Sequence, residues 1–401
     1  MLRVLVRQAR PGMTLARAVI NPRYPDTTLL SAGYTLNSPE IARLHEIGVY
    51  DLWVDYPGLD FLDEMISPRL SVSQQRLCET LKSSFHHQAQ QSESALPIFQ
   101  YKDVVRELVE SILESASSMP FMTDLAGVDD SLLRHSSEVC VLGVMLGLKL
   151  DAYIVDQRRR IAGHVAKDIV NLGIGCMLHD IGELQLPERL RESRRLEGDE
   201  SVEWKQHVTL GYKAVRGQLE PSAANVVLHH HQHFDGTGFP VVETTDSTQC
   251  ASQIHVFARI AMAADMFQHL LVRDGMNYPT VSGLWRVQQR QYRSWFDPVV
   301  LATLLSVVQP FLPGMVVQLT DRRFAIVSRV HEQAPCYPEV QVLNNLDLMS
   351  KENTSGERET VDLSMTQELA IQGVDGFEVS KYLYGPRRVH VKLKTVATVF
   401  S

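Results

Sequence analysis

Between residue 98 and about residue 310, apolar residues recur at three- and four-residue steps. The stretches VVRELVESILESA, EVCVLGVMLGLKL, IVNLGIGCMLHDIG and ARIAMAADMFQHLL all keep this spacing, which gathers apolar side chains on one helical face. Each predicts a helix. Polar loops separate them, RESRRLEGDES before His207 and VVETTDSTQCAS after Pro240. The two ends of the chain read differently. In residues 1–60, LRVLV, TLLSAGYTL and VYDLWVDY cluster β-formers between Gly, Pro and Asn breaks and predict strands. Between them SPEIARLHEIG predicts a short helix, capped by Ser38 and closed by Gly48. Residues 66–95 are polar, with HHQAQQSESA near their end, and predict a linker that is partly helical. Beyond residue 312, GMVVQLTD, FAIVSRV, EVQVLNN and VHVKLKTVATVF are strand-like, with the polar loop SKENTSGERET among them.

The expected organisation is therefore a small α+β domain over 1–60, a linker over 61–97, a helical domain over 98–311 and a small β-containing domain over 312–401. The fold class is mainly α. A chain of 401 residues has room for these parts, and 44% apolar with 21% charged residues is ordinary for a soluble globular protein. The net charge of −8 comes without a basic stripe, which argues against a nucleic-acid polymer as partner. Five scattered cysteines with no CxxC spacing argue against a disulfide framework or a thiolate zinc site, and for a reducing cytoplasm. The start, MLRVLVRQARPGM, lacks the apolar core of a signal peptide, and no apolar run reaches the roughly 18 residues of a membrane span. The expectation is a soluble, cytoplasmic protein.

The chemistry concentrates in two runs, LHDIGE at 178–183 and HHHQHFDGTGFP at 229–240. Adjacent His-Asp and His-His pairs offer nitrogen donors and a carboxylate able to bridge, the ligands used by transition metals that activate water. A lone His on an apolar helix is more often a core residue than a ligand. Here an ordered set exists: His135 in RHSSEV, His179 and Asp180, His207 in WKQHVTLG, His230 and His231, and Asp265 in ARIAMAADMF. Buried on apolar faces, such groups need partners, and a dinuclear metal centre satisfies them together. His229 and His233 read as surface residues or as supports of the ligands. His86, His87, His255 and His269 read as structural or solvent-facing. Asp235, Gly236 and Gly238 are turn formers by type.

This order resembles the HD-GYP family, over about residues 120–310. HSSEV, LHDIGE, KQHVTLG, HHHQHFDGTGFP, RIAMAADMF and WFDPVVLATLL are similar to its successive motifs. The resemblance implies an HD-type helical bundle core with the smaller domains flanking it. It implies two divalent transition metals, iron or manganese, one held by His135, His179 and Asp265 and the other by His207, His230 and His231. Asp180 would bridge both together with a water. With Asp180 and His179 as catalytic residues, a hydroxide between the metals would hydrolyse cyclic di-GMP to pGpG and on to GMP. The resemblance assigns substrate contacts to Lys205, Asp235, Gly236, Gly238 and Arg273. It implies cyclic di-GMP as ligand, with GGDEF-domain proteins and a second copy of the chain as further partners. The chain departs from the family where Glu183 stands in place of a Lys that meets substrate phosphate, and Phe239 in place of the signature Tyr. Ser131 stands where some members place a Glu that binds a third metal, and only Arg273 lies near the basic motif that follows the last Asp. Two other readings follow from these departures: a catalytically weak module that binds the nucleotide or a protein, and a hydrolase of another phosphorylated substrate.

Overall fold

The computed structural model describes residues 2–21, 24–49, 51–56, 67–90, 95–115, 131–191, 201–241, 249–273, 276–343 and 359–387. The chain divides into two compact units, Met1–Val308 and Gln309–Ser401. It is mainly helical, with a β-sheet in the C-terminal unit.

The first unit opens with short strands. β1 (Leu2–Leu5) pairs antiparallel with β4 (Asp51–Val54), and β2 (Val19–Asn21) with β3 (Tyr24–Leu30). Between β3 and β4 lies α1 (Ser38–Ile47). Its cap is Asn37 rather than Ser38. The Asn37 side chain accepts the Glu40 N–H at 3.1 Å, and the Glu40 carboxylate accepts the Asn37 N–H at 3.0 Å, a reciprocal capping box. Gly48, at φ 90°, ends the helix as expected.

Residues 68–90, whose polarity suggests a partly helical linker, form one continuous helix, α2 (Pro68–Gln90). It buries Leu70, Leu77, Leu81 and Phe85 and packs on α3 (Ile98–Glu114) and α4 (Ser131–Lys149). The helical core continues with α5 (Val170–Leu178), α6 (His207–Val215), α7 (Pro221–His229), α8 (Val256–Leu271), α9 (Thr280–Val287) and α10 (Pro298–Val307). α4 packs on α5 and α8, and α7 packs on α5, α6 and α8. Arg259 of α8 forms a buried ion pair with Asp297, which also caps α10 by accepting the Val299 N–H at 2.9 Å. By length and composition α4 could cross a membrane, which the sequence reading did not anticipate, but 61% of its apolar window is buried in the unit. α5 stops earlier than the apolar pattern predicts. Asp180, at φ −98° and ψ 13°, leaves the helical conformation, and Ile181–Gln185 continue as a 3-10 turn packed on α6.

In the second unit six antiparallel strands run in the order β10-β9-β8-β7-β11-β12. They are β7 (Val316–Leu319), β8 (Phe324–Arg329), β9 (Glu339–Leu343), β10 (Thr360–Asp362), β11 (Ile371–Val374) and β12 (Phe377–Glu378). Asp375 and Gly376 join the last two with φ of 52° and 86°, a two-residue hairpin turn that needs a left-handed backbone at both positions. The strand expected in VHVKLKTVATVF, and most of the loop SKENTSGERET, lie outside the described residues.

Candidate metal centre

The seven residues singled out as ligands converge on one buried cluster. Helix ends supply most of them. His179 caps the C-terminus of α5, Asp180 follows it, His207 opens α6, His230 caps the C-terminus of α7, and His231 follows. His135 lies in the first turns of α4, and Asp265 sits mid-way along α8.

Helix ends have carbonyls, and neighbouring turns have further ones, that lack an intrahelical partner. Three ligand rings use such local carbonyls. The Nδ1–H of His179 donates to Cys176 O at 2.8 Å, that of His207 to Trp204 O at 2.9 Å, and that of His230 to Val227 O at 3.1 Å. With Nδ1 engaged by a carbonyl, Nε2 is the nitrogen each ring turns toward a metal. Those Nε2 atoms face Asp180. Its Oδ2 lies 3.2 Å from His179 Nε2 and 3.8 Å from His135 Nε2. Its Oδ1 lies 3.3 Å from His230 Nε2 and 3.4 Å from His207 Nε2. One carboxylate thus turns an oxygen to each of two histidine pairs. Asp265 Oδ1 stands 2.9 Å from His135 Nε2 and 3.7 Å from His179 Nε2, and its Oδ2 is 3.8 Å from His231 Nδ1.

The electrostatics match a cation site. Burial pushes the Asp180 carboxyl up, but His179, His230 and His207 together outweigh it and hold it well below the usual carboxylate range. Asp265 is likewise held low against burial, by His269, His135, His179 and His231. Burial pushes His207 down to about 4 and, with His230 beside it, takes His231 well below its ordinary value, so both rings are neutral donors near pH 7. His179 goes the other way. Asp180 and Asp265 overcome its burial and raise it, so an ion binding there would displace a proton. Asp180 Oδ1 is fully buried yet makes no hydrogen bond among the described residues, an atom that a cation would satisfy. Two groups of donors close enough for one ion each share Asp180: His135, His179 and Asp180, and Asp180, His207, His230 and His231. The residues present therefore fit a pair of metals.

The expected substrate residues surround this cluster in different ways. Lys205 sits with its Nζ 5.1 Å from the Phe239 ring, and Phe239 stacks on His231 at 4.5 Å. Asp235 shapes its own loop, accepting the Thr237 N–H at 3.0 Å and the Thr237 hydroxyl at 2.6 Å. Gly236, at φ 84°, makes the turn. Gly238 lets the loop fold against the ligand segment: a Cβ there would lie 2.1 Å from His231 O and 2.4 Å from His233 N. Arg273 lies in β5 (Val272–Arg273), paired with β6 (Met276–Asn277), and its side chain is outside the described residues.

Two residues that the sequence reading passed over belong to the centre. His269, taken as structural or solvent-facing, sits one turn after Asp265 on α8, with its Nδ1 3.6 Å from Asp265 Oδ1. Its spacing from Asp265 was the available signal. Trp204, three residues before His207, is buried and packs on His207 with ring centroids 4.4 Å apart. Its indole N–H donates to Glu183 Oε1 at 2.8 Å. Glu183 is thus half-buried and bonded to a residue that touches a ligand, not a solvated helix end.

Residues 166–300 match the family profile described as HD domain. A cyclic di-GMP phosphodiesterase of Pseudomonas aeruginosa is 25% identical over 344 residues, covering 77% of this chain and 77% of that protein. The cyclic di-GMP phosphodiesterase PdeB of Borreliella burgdorferi is 24% identical over 184 residues, covering 45% of this chain and 47% of its own length. The cyclic di-GMP phosphodiesterase response regulator RpfG of Xanthomonas campestris is 27% identical over 163 residues, covering 38% of this chain and 42% of its own length. A solved structure of an HDG"Y"P protein from Bdellovibrio bacteriovorus aligns with 76% of this chain and 97% of its own, at 15% identity and a TM-score of 0.46. The HD-domain match and these relatives support the resemblance of the ordered ligand motifs to the HD-GYP family.

Proposed function

We propose that this protein hydrolyses cyclic di-GMP at a dinuclear metal centre. The observation that carries the reading is the carboxylate of Asp180, which directs one oxygen to His135 and His179 and the other to His207 and His230. The names of the relatives supply the substrate class. The family resemblance implies iron or manganese, and a donor set of imidazoles and carboxylates is compatible with both. One ion would be held by His135, His179 and Asp265, the other by His207, His230 and His231, with Asp180 between them. When bound, such a pair would lower the pKa of a bound water and neutralise phosphodiester oxygens.

The rest falls to the chain. Asp180 and His179, buried, keep charge and lone pairs aimed inward with little solvent to screen them. Lys205, near Phe239, offers a cation beside the DGTGFP loop for a substrate phosphate. Gly236 and Gly238 give the loop its course, and Asp235 fixes it through Thr237. Arg273 is the second proposed substrate cation. The linear product pGpG retains a second phosphodiester of the same kind, and GMP follows by repeating the reaction. A homodimer and GGDEF-domain proteins remain the proposed macromolecular partners.

The test uses full-length protein expressed with iron and manganese. Elemental analysis should find two metals per chain, and chromatography should show cyclic di-GMP converted to pGpG. Asp180→Ala should lose both metals and all turnover. Fewer than one metal per wild-type chain, or a variant that keeps its complement, would refute the metal reading. Two metals with tight nucleotide binding and no product would replace hydrolysis by the weak-module reading.

A further inference from the structure

The cage assigned so far draws one residue from α8. That helix presents a second donor. His269 follows Asp265 by one turn, so the two side chains leave the same face. Its Nδ1 is 3.6 Å from Asp265 Oδ1, comparable to the 3.7 Å between that oxygen and His179 Nε2. The His269 ring lies 4.7 Å from the His135 ring, centroid to centroid. Ring pairs within the assigned cage run from 4.3 Å for His230 with His231 to 5.4 Å for His207 with His230. His269 therefore stands to His135 as the ligand rings stand to one another. His135, Asp265 and His269 also bring one donor atom each within 4.8 Å of the others, as the two groups sharing Asp180 do.

We propose that His269 is a further protein ligand on the ion held by His135 and Asp265, which makes the donor set eight residues rather than seven. Ligands on adjacent positions of a transition ion with bonds of about 2.1 Å lie roughly 3 Å apart, and those on opposite positions roughly 4 Å. The 2.9 Å and 3.6 Å separations around Asp265 Oδ1 fall in that range. The consequence is an asymmetric pair. The ion near α8 is more fully enclosed by protein and leaves fewer positions for substrate. The ion held by His207, His230 and His231 then becomes the one more open to phosphate. His269 is a quarter exposed, at 24% of its side chain, while Asp265 is at 3%, so the added donor closes the cluster on its solvent side.

This inference rests on the dinuclear reading, and the experiment separates the two. Wild type, His269→Ala and His269→Gln are loaded with cobalt(II), then dialysed against graded chelator. Bound metal is counted, and the visible ligand-field spectrum is recorded. In both variants one ion should leave at chelator activity at least about tenfold lower, the other should be retained as in wild type, and one set of cobalt bands should shift. A wild type that holds no cobalt overturns the dinuclear reading and this one together. Two ions in wild type with the same release profile and spectrum in His269→Ala overturn this one alone. Wild-type behaviour of His269→Gln beside a defective His269→Ala also overturns it, because Gln keeps a hydrogen-bond donor for Asp265 but not the imidazole. Three ions in wild type falling to two in His269→Ala would overturn the placement on a shared ion.

Discussion

Gly182→Ala should damage the metal centre although Gly182 carries no side chain that could bind anything. The 3-10 turn after the His-Asp pair presses on the start of α6. A Cβ at residue 182 would lie 1.9 Å from His207 O and 2.5 Å from Gly211 N. Ordinary contact begins at 3.4 Å, so turn and helix must part by about 1.5 Å along that line. The obstructing atoms are backbone and cannot rotate away. His207 Nε2 is 3.4 Å from Asp180 Oδ1 and 3.3 Å from His230 Nε2, and coordination tolerates displacements of only about 0.2 Å. The His207 site should therefore lose its ion, while the His135 and His179 side, carried by α4 and α5, is disturbed less. Overpacking of this kind costs roughly 1–3 kcal/mol, and each kcal/mol lowers the Tm by roughly 2–4 °C in a domain of 150–250 residues. The assay is elemental analysis of purified protein beside thermal unfolding. Gly163→Ala is the control, since the nearest atom to its Cβ would be Val155 Cγ1 at 3.9 Å. A Gly182→Ala protein with both metals and an unchanged Tm would refute the argument.

Glu183→Lys is expected to lower the Tm as well as alter nucleotide affinity. It replaces the acceptor of the buried Trp204 indole N–H with a donor, and an unmet buried donor costs about 1–3 kcal/mol. An unchanged Tm would show that the Trp204 bond contributes nothing. Acid should weaken the metal-free fold between pH 6.5 and 4. Burial, with Arg158 adding to it, pushes His255 down to about 4, and burial pushes His233 to about 4. Unfolded histidines titrate near 6.5, so in this window the unfolded chain binds more protons and stability falls with the pH. His255 Nδ1 accepts the Phe257 N–H at the start of α8, and protonation removes that cap. Urea midpoints of chelated protein should decline across the window, less steeply in His255→Asn; a flat wild-type profile would contradict this.

The helices α4 and α8 were legible because apolar residues recur along them without interruption. α2 is legible only as a partly helical linker, because Leu77, Leu81 and Phe85 recur at four-residue steps but form one narrow stripe among polar residues, which composition does not announce. The hairpin of β11 and β12 was passed over although Asp375-Gly376 is a strong turn signal between β-formers. At the centre, the ligands could be read as residue types in order. Their geometry could not. Which oxygen of Asp180 faces which histidine depends on the break after α5, and the partner of Glu183 lies 21 residues away. His269 was set aside because a single His on a helix is weak evidence until a neighbouring turn supplies the rest.

The rings of His179, His207 and His230 each donate to a carbonyl three residues earlier in their own segment. The acceptor that holds each Nδ1–H is thus supplied locally, within one turn of backbone. Each such segment is portable. Cut out and spliced into a different helical scaffold, it should bring its imidazole already facing outward through Nε2, leaving the new host only the task of bringing the segments together. The same locality lets the surrounding sequence diverge widely: substitutions elsewhere can move a helix without removing the carbonyl that accepts its Nδ1–H.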